Sequence, residues 1–148
     1  MRALLLFGLL PLGLMLAGCV PVTLDNDPPV DFKRWQAVYV APIPGADADS
    51  EREFVEGLRA DSGFKTVTTD GGARVDAVLY VTVDVSESYD DEDDEYEYTA
   101  TARVRLESAL DGRVIDSTEV NDDGGSRSGA VDDALDEVVQ HYLRAYRL

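Results

Sequence analysis

Two runs of alternating polar and apolar residues constrain the fold of this 148-residue chain more than any other feature. Over residues 75–85, apolar side chains occupy every odd position from Ala77 to Val85. Over residues 96–106, they occupy every even position from Tyr96 to Leu106. Successive side chains of a β-strand point to opposite faces, so this period of two predicts two long strands in a sheet with one wet face.

Two amphipathic helices are predicted on either side of these strands. The first begins with a capping box formed by Ser50 and Glu53, and Gly63 is placed to end it as the C′ residue. The second has one apolar stripe, at positions 131, 135, 138, 139, 142 and 146. His141, the only histidine, lies off this stripe, so we expect it to face solvent.

The remaining elements complete the predicted order β-α-β-β-β-β-α. Short β-rich runs cover residues 37–43 and 65–69, and a further strand follows the turn at Asp111-Gly112 after a loop of three to five residues. Residues 121–125 are predicted to form a loop before the last helix. Two amphipathic helices need one apolar sheet face to cover. The fold is therefore predicted to be α+β, a two-layer sandwich with two helices on one face of a four- to five-stranded mixed sheet.

The amino terminus is typical of an exported protein. Arg2 precedes a leucine-rich run, residues 3–16, which is too short to span a bilayer and matches a secretory signal. The sequence Leu16-Ala17-Gly18-Cys19 that follows resembles the lipobox of bacterial lipoproteins. That resemblance implies a signal peptide at 1–18, recognised through Leu16, Ala17 and Gly18, and a lipid attached to Cys19 before cleavage.

The lipobox also implies a location and a domain plan. Cys19 is the only cysteine, so no intramolecular disulfide is available and no thiol remains for catalysis. The proline-containing segment that follows predicts a flexible tether over residues 19–33, and residues 34–148 form a single domain. Val20 stands where an aspartate would resemble the inner-membrane retention signal. We therefore expect a lipid anchor on the periplasmic face of the outer membrane.

The net charge of −17, from 30 acids and 13 bases, excludes a nucleic-acid partner because the surface repels phosphates. The same acidity is typical of proteins from salty habitats, so it identifies no ligand by itself. Nucleophile elbows, phosphate-binding glycine loops and metal-spaced His/Cys clusters are absent from the sequence. We therefore predict no catalytic residue, no cofactor and no enzyme activity.

Residues 84–97, DVSESYDDEDDEYE, join the two strongest strands and are the local extreme of acidity. One interpretation is a solvated hairpin tip, whose carboxylates repel one another. The alternative is a binding module for a cation or small ligand, with a weak cation site at Asp90, Asp91, Asp93 and Asp94. The run lacks the spacing and the glycine of a calcium loop, which favours the solvated tip.

The aromatic residues of the sheet region are candidate interface anchors wherever no helix covers them. They are Trp35, Tyr39, Tyr80, Tyr89, Tyr96 and Tyr98. Alternation alone does not assign Tyr39 and Tyr80 to a face.

The run Val75-Asp76-Ala77-Val78-Leu79-Tyr80-Val81-Thr82-Val83, after a β-α-β opening, resembles small envelope lipoproteins. These include lipoprotein activators of penicillin-binding proteins, the curli secretion lipoprotein, the amino-terminal domain of TolB, and the lipopolysaccharide-assembly and transport-auxiliary lipoproteins. The resemblance implies a non-catalytic adaptor or assembly factor that docks on a protein partner in an envelope machine. It does not choose among the machines.

Overall fold

A computed structural model describes residues 30–90 and 95–147. A short 3-10 helix at Phe32–Arg34 precedes seven elements: β1 (Ala37–Val40), α1 (Ala48–Asp61), β2 (Thr66–Thr68), β3 (Ala77–Asp90), β4 (Glu95–Ser108), β5 (Val114–Gly124) and α2 (Arg127–Arg147). The predicted order of strands and helices is confirmed. The predicted α+β sandwich of two helices on a mixed sheet is confirmed as well, with five strands.

The sheet has the strand order β2-β1-β3-β4-β5. β1 runs parallel to both β2 and β3, because α1 carries the chain back across the sheet before β2 begins. β3, β4 and β5 form an antiparallel meander. The two long alternating runs therefore lie side by side as β3 and β4, in the centre of the sheet.

The core lies between one face of this sheet and the two helices. On β3, Ala77, Leu79, Val81 and Val83 are at most 4% exposed. They pair in register with equally buried residues of β4, as in the pair Leu79 and Leu106. The helix stripe that covers them comprises Ala130, Val131, Ala134, Leu135, Val138, Val139 and Tyr142. Each large apolar side chain buried here contributes about 1.5–3 kcal/mol.

The start of α1 differs from the prediction. Asp47 caps the helix, because its carboxylate accepts hydrogen bonds from the backbone N–H groups of Asp49 at 3.0 Å and Ser50 at 2.9 Å. The predicted capping box at Ser50 and Glu53 is therefore wrong, since Ser50 already lies inside the first turn and is buried. Gly63 ends the helix as predicted, with a φ of 89° that only glycine adopts without strain.

The second hairpin confirms one prediction and corrects another. Five residues, 109–113, connect β4 to β5, within the predicted loop length. β5 then continues to Gly124, so the predicted loop at 121–125 is wrong for most of its length. The strand persists through its Asn and Asp residues because β4 is long enough to pair with them, as in Ala100 with Asp122. Pairing along an existing ladder outweighs their low β propensity.

The chain enters the domain beside the carboxyl end of α2. The ring of Phe32 lies 6.2 Å from that of Tyr142 and 5.7 Å from that of Tyr146. Val30 also packs against the core. Packed structure therefore begins before Arg34, the first residue of the predicted domain. Among the residues that the structure describes, no helix is long and apolar enough to cross a membrane.

The β3–β4 hairpin is longer than the layer of helices that covers it. α2 begins at Arg127, close to the end of β5, and runs back towards the point where the chain enters. Ser86, Glu87, Ser88 and Tyr89 of β3 are all exposed. We name the projecting part of the hairpin, residues 86–90 and 95–99, the distal arm. It lies at the opposite end of the sheet from the chain entry.

Candidate functional site

The helix-side face of the distal arm is aromatic. It continues the buried face of β3 and β4, and it presents Tyr89, Tyr96 and Tyr98 where the core presents aliphatic residues. Tyr89 and Tyr96 are a cross-strand pair whose ring centroids lie 5.0 Å apart, and they are 48% and 55% exposed. Tyr98 is half-buried and packs against the edge of the core. We name this surface, formed by Tyr89, Tyr96 and Tyr98, the tyrosine face; it continues the buried face of the sheet into solvent.

The position of α2 explains why this face is exposed. The first turn of the helix rests directly on the end of β5, where a Cβ added to Gly124 would lie 2.6 Å from the backbone nitrogen of Ala130. Gly124 pairs with Tyr98 across the sheet. The helix therefore starts level with Tyr98 and leads away from the tip. The residues beyond Tyr98 lie past the end of the helix layer.

The distal arm is strongly acidic. Residues 84–97 contain nine carboxylates and no Lys or Arg, and the first base after them is Arg103. Glu87 shares the tyrosine face, since it pairs with Tyr98 in the strand register. The arm therefore combines exposed aromatic rings with an excess of negative charge.

The structure describes only one of the four residues of the predicted cation site. Asp90 is the last residue of β3, and its backbone pairs with Glu95. Asp91, Asp93 and Asp94 lie outside the described residues, as do Leu16, Ala17, Gly18 and Cys19. Among the side chains that the structure describes, no three His, Cys, Asp or Glu residues converge on a metal-sized site. The weak cation site stays a prediction.

The open face of the sheet, which no helix covers, is charged but internally paired. Arg103 donates through Nε to Glu119 at 2.8 Å and through Nη1 to Asp84. The guanidinium of Arg105 lies 5.4 Å from the ring centroid of Tyr80, and its Nε lies 2.8 Å from a carboxylate oxygen of Glu107. The bases of this face are thus engaged by neighbouring acids.

The aromatic candidates fall into three groups. Tyr80 lies on the open face, 39% exposed, and Tyr39 lies half-buried on the same face beside Gly71. Trp35 packs partly buried against the core. Tyr89, Tyr96 and Tyr98 lie on the helix-side face of the distal arm. On the helix-side face, the exposed rings therefore occur where the helix layer ends, and the alternation pattern does not indicate that position.

His141 corrects the prediction that it faces solvent. Its Nε2 lies 2.9 Å from Oδ2 of Asp116, and the side chains are 28% and 8% exposed. Asp116 is buried because it lies opposite Leu106 on the core face of β5. A carboxylate in that position needs a polar partner, and α2 supplies the histidine. The pair joins α2 to the edge strand.

Tyr142 lies next to this pair in the core. Its hydroxyl is buried and has no hydrogen-bond partner among the described residues. Burial raises the pKa of Tyr142 well above 10.0, and the negative charge of Asp116 adds to the effect. The hydroxyl therefore stays protonated and does not act as a base near neutral pH.

A shallow groove runs along α1. Its two bases are already engaged: Arg52 lies 2.7 Å from Asp49, and Nε of Arg59 donates to the carbonyl oxygen of Val67 at 3.1 Å. The lining residues are Ala48, Glu51, Arg52, Val55, Arg59 and Thr69. This groove offers less for binding than the distal arm.

The fold is similar to that of several solved bacterial proteins. PelC from Paraburkholderia phytofirmans, solved as a dodecamer, matches with a TM-score of 0.52 and 21% identity over 72% of this chain and 87% of PelC. A minor lipoprotein from Acinetobacter baumannii matches with a TM-score of 0.52 and 16% identity, over 74% and 89% of the two chains. A DUF330 protein from Xanthomonas campestris matches with a TM-score of 0.53 and 18% identity, over 76% and 86%.

At such identities the similarity extends to the fold alone. No protein-family model matches the chain, and no curated protein sequence matches it.

Proposed function

We propose that this protein is a lipid-anchored, non-catalytic adaptor of the bacterial envelope that binds a partner protein through the tyrosine face of its distal arm. The observation that carries the proposal is the exposed cross-strand pair of Tyr89 and Tyr96 on the distal arm, whose rings are in contact at a tilt of 53°. Tyrosine is enriched at interface hot spots, because its ring buries a large area and its hydroxyl still accepts or donates a hydrogen bond.

The membrane anchor is supported by the sequence Leu16-Ala17-Gly18-Cys19 after a leader of signal-peptide length. A solved lipoprotein of Acinetobacter baumannii shares the fold. Two or three acyl chains hold a protein firmly on a bilayer. We propose the periplasmic face of the outer membrane, because Val20 does not match the retention signal.

Lipid attachment is tested by changing Cys19 to Ala. We expect the wild type to take up labelled fatty acid and partition into detergent, whereas the variant stays unprocessed and unlabelled. Mass spectrometry of the mature amino terminus identifies the cleavage position. A wild type that stays in the aqueous phase, with a mature end elsewhere, would refute the anchor.

The adaptor role is tested by photo-cross-linking in cells. A photoreactive phenylalanine at position 96, on the tyrosine face, is compared with the same residue at position 80, on the open face. We expect one discrete cross-linked product from position 96 and none of that mass from position 80. Equal products from both positions, or none from either, would count against the tyrosine face as the docking surface.

A further inference from the structure

We infer that the occupant of the tyrosine face is a basic segment of the partner protein, one that places Lys or Arg side chains on the tyrosine rings at the end of the molecule away from the membrane. This inference rests on the proposed adaptor function and adds to it the chemistry of the partner.

The molecule contains its own example of the contact. On the open face, the guanidinium of Arg105 lies over the ring of Tyr80 while its Nε reaches Glu107. The tyrosine face presents the same two receptors, the exposed ring of Tyr96 and a carboxylate at Glu87. A cation over a tyrosine ring is stabilised by the ring quadrupole, and a nearby carboxylate adds a hydrogen bond. A Lys or Arg side chain of a partner would complete the same arrangement there.

Charge decides which occupant fits. No base lies between residues 84 and 102, so the distal arm supplies no Lys or Arg of its own, whereas Arg103 and Arg105 contact acids of the open face. A second copy of this chain carries the same net charge of −17, and docking arm against arm would bring like charges together. Anionic lipid headgroups are repelled in the same way. A basic protein segment is the occupant that the charges favour.

The geometry presents this surface away from the point where the chain enters the domain. The chain enters beside Phe32, next to the carboxyl end of α2, and the base of β3 lies there as well, since Asp76 accepts hydrogen bonds from the N–H groups of Gln36 and Ala37. β3 then runs for 14 residues to the tip, about 45 Å at 3.3 Å per residue. A partner therefore meets the tyrosine face at the far end of the domain.

The test uses the mature, lipidated full chain in a non-ionic detergent and measures fluorescence anisotropy of a labelled peptide. The probe is a 12-residue peptide of alternating arginine and valine. Its matched control has citrulline in place of every arginine, which keeps the shape and removes the charge. We expect saturable binding of the arginine peptide at moderate salt and at least tenfold weaker binding of the citrulline peptide.

Three variants separate the tyrosine face from general acidity. Tyr96→Ala should weaken binding about tenfold, and Tyr96→Phe should keep most of it because the ring remains. Tyr80→Ala is the matched control on the open face and should bind like the wild type. Thermal melts verify that each variant folds. Equal binding by wild type and Tyr96→Ala, or by the two peptides, would overturn the inference.

A membrane occupant is tested in the same series. Binding of a lipid-free chain that starts at residue 20, without leader or detergent, to phosphatidylglycerol vesicles, lost in Tyr96→Ala, would overturn the inference in favour of a lipid surface. If cross-linking at position 96 succeeds while the arginine peptide fails, the adaptor function stands and the basic partner is rejected. If the peptide binds but position 96 gives no cross-link in cells, the adaptor function fails instead.

Discussion

At the scale of single residues, Asp116 is the carboxylate that β5 carries onto the core face, and His141 is its partner from α2. A buried carboxylate is costly unless a donor satisfies it. The contact could not be predicted from the sequence. A polar residue in a strand is expected to face solvent, and only the register with Leu106 shows that Asp116 faces the core.

We predict that His141→Ala lowers the free energy of unfolding by about 1–3 kcal/mol, because it leaves the buried Asp116 without its partner. This replaces the sequence-based expectation of an exposed, neutral site. Gln140→Ala, at the exposed neighbouring position, is the matched control and should change stability by less than about 0.5 kcal/mol. Urea unfolding of the purified chain measures both. A His141→Ala variant as stable as the control would show that the pair contributes nothing.

The hydroxyl of Tyr142 gives a second prediction, on pH. Burial raises the pKa of Tyr142 above its ordinary value of 10.0, so the folded state keeps the proton at pH values where the unfolded chain loses it. The contribution of this group to the free energy of unfolding is therefore fully present below about pH 10 and is lost as the pH rises above that value. Tyr142→Phe should reduce that loss. It should also be neutral or slightly stabilising at pH 7, since the hydroxyl has no partner there.

The measurement is urea unfolding of wild type and Tyr142→Phe at pH 7 and pH 11. The pKa of Tyr146 is also raised, first by burial and then by the negative charge of Asp76. The variant should therefore still lose part of its stability at alkaline pH. If the free energy of unfolding falls between pH 7 and pH 11 by the same amount in both proteins, Tyr142 does not control alkaline stability.

At the scale of elements, the joint between β5 and α2 sets the length of the exposed arm. The helix packs its first turn on Gly124, which has no side chain to hold it away. This close approach fixes where the helix layer ends and hence which tyrosines remain exposed. Neither the alternation in the strands nor the stripe on the helix encodes that position, so the tyrosine face could be recognised only from the packed structure.

We predict that Gly124→Ala destabilises the fold by about 1–3 kcal/mol, because its Cβ would lie 2.6 Å from the backbone nitrogen of Ala130. Gly125→Ala is the matched control, since an added Cβ there meets nothing within 4 Å. Thermal unfolding of the two variants decides between them. Equal melting temperatures would mean that the joint relaxes freely and does not determine where the helix begins.

Most of the sheet and both helices were predictable because their signals are periodic. The alternation around Leu79 and Leu106 survives in the structure as one continuous buried face. The errors occur where the signal is local: a cap at Asp47 rather than Ser50, and a strand that continues through Asp122. In both cases a contact with the rest of the fold, and not the local composition, determines the boundary.

At the scale of the whole molecule, the domain has two structurally distinct ends. The chain enters at Phe32, and the acidic, aromatic tip lies at the other end of β3. Residues 19–29 add at most about 3.5 Å each between an anchor at Cys19 and the domain. Repulsion between the acidic arm and anionic headgroups favours the orientation in which the tip points away from the membrane.

This orientation gives the last prediction. Because Cys19 is the only cysteine and the proposed lipidation occupies its sulfur, an introduced cysteine is the single thiol available for labelling in the lipidated form. Ser88→Cys places a dye on the distal arm, on the face opposite the tyrosines, and Lys33→Cys places one beside the chain entry; both positions are exposed.

With the lipoprotein in vesicles that contain an acceptor-labelled headgroup, we expect strong energy transfer from position 33 and weak transfer from position 88. The two sites are separated by much of the roughly 45 Å length of β3, a distance comparable to the range over which transfer falls away. Equal transfer from both positions would mean that the hairpin lies along the bilayer, and the distal arm would then not be presented to a partner beyond it.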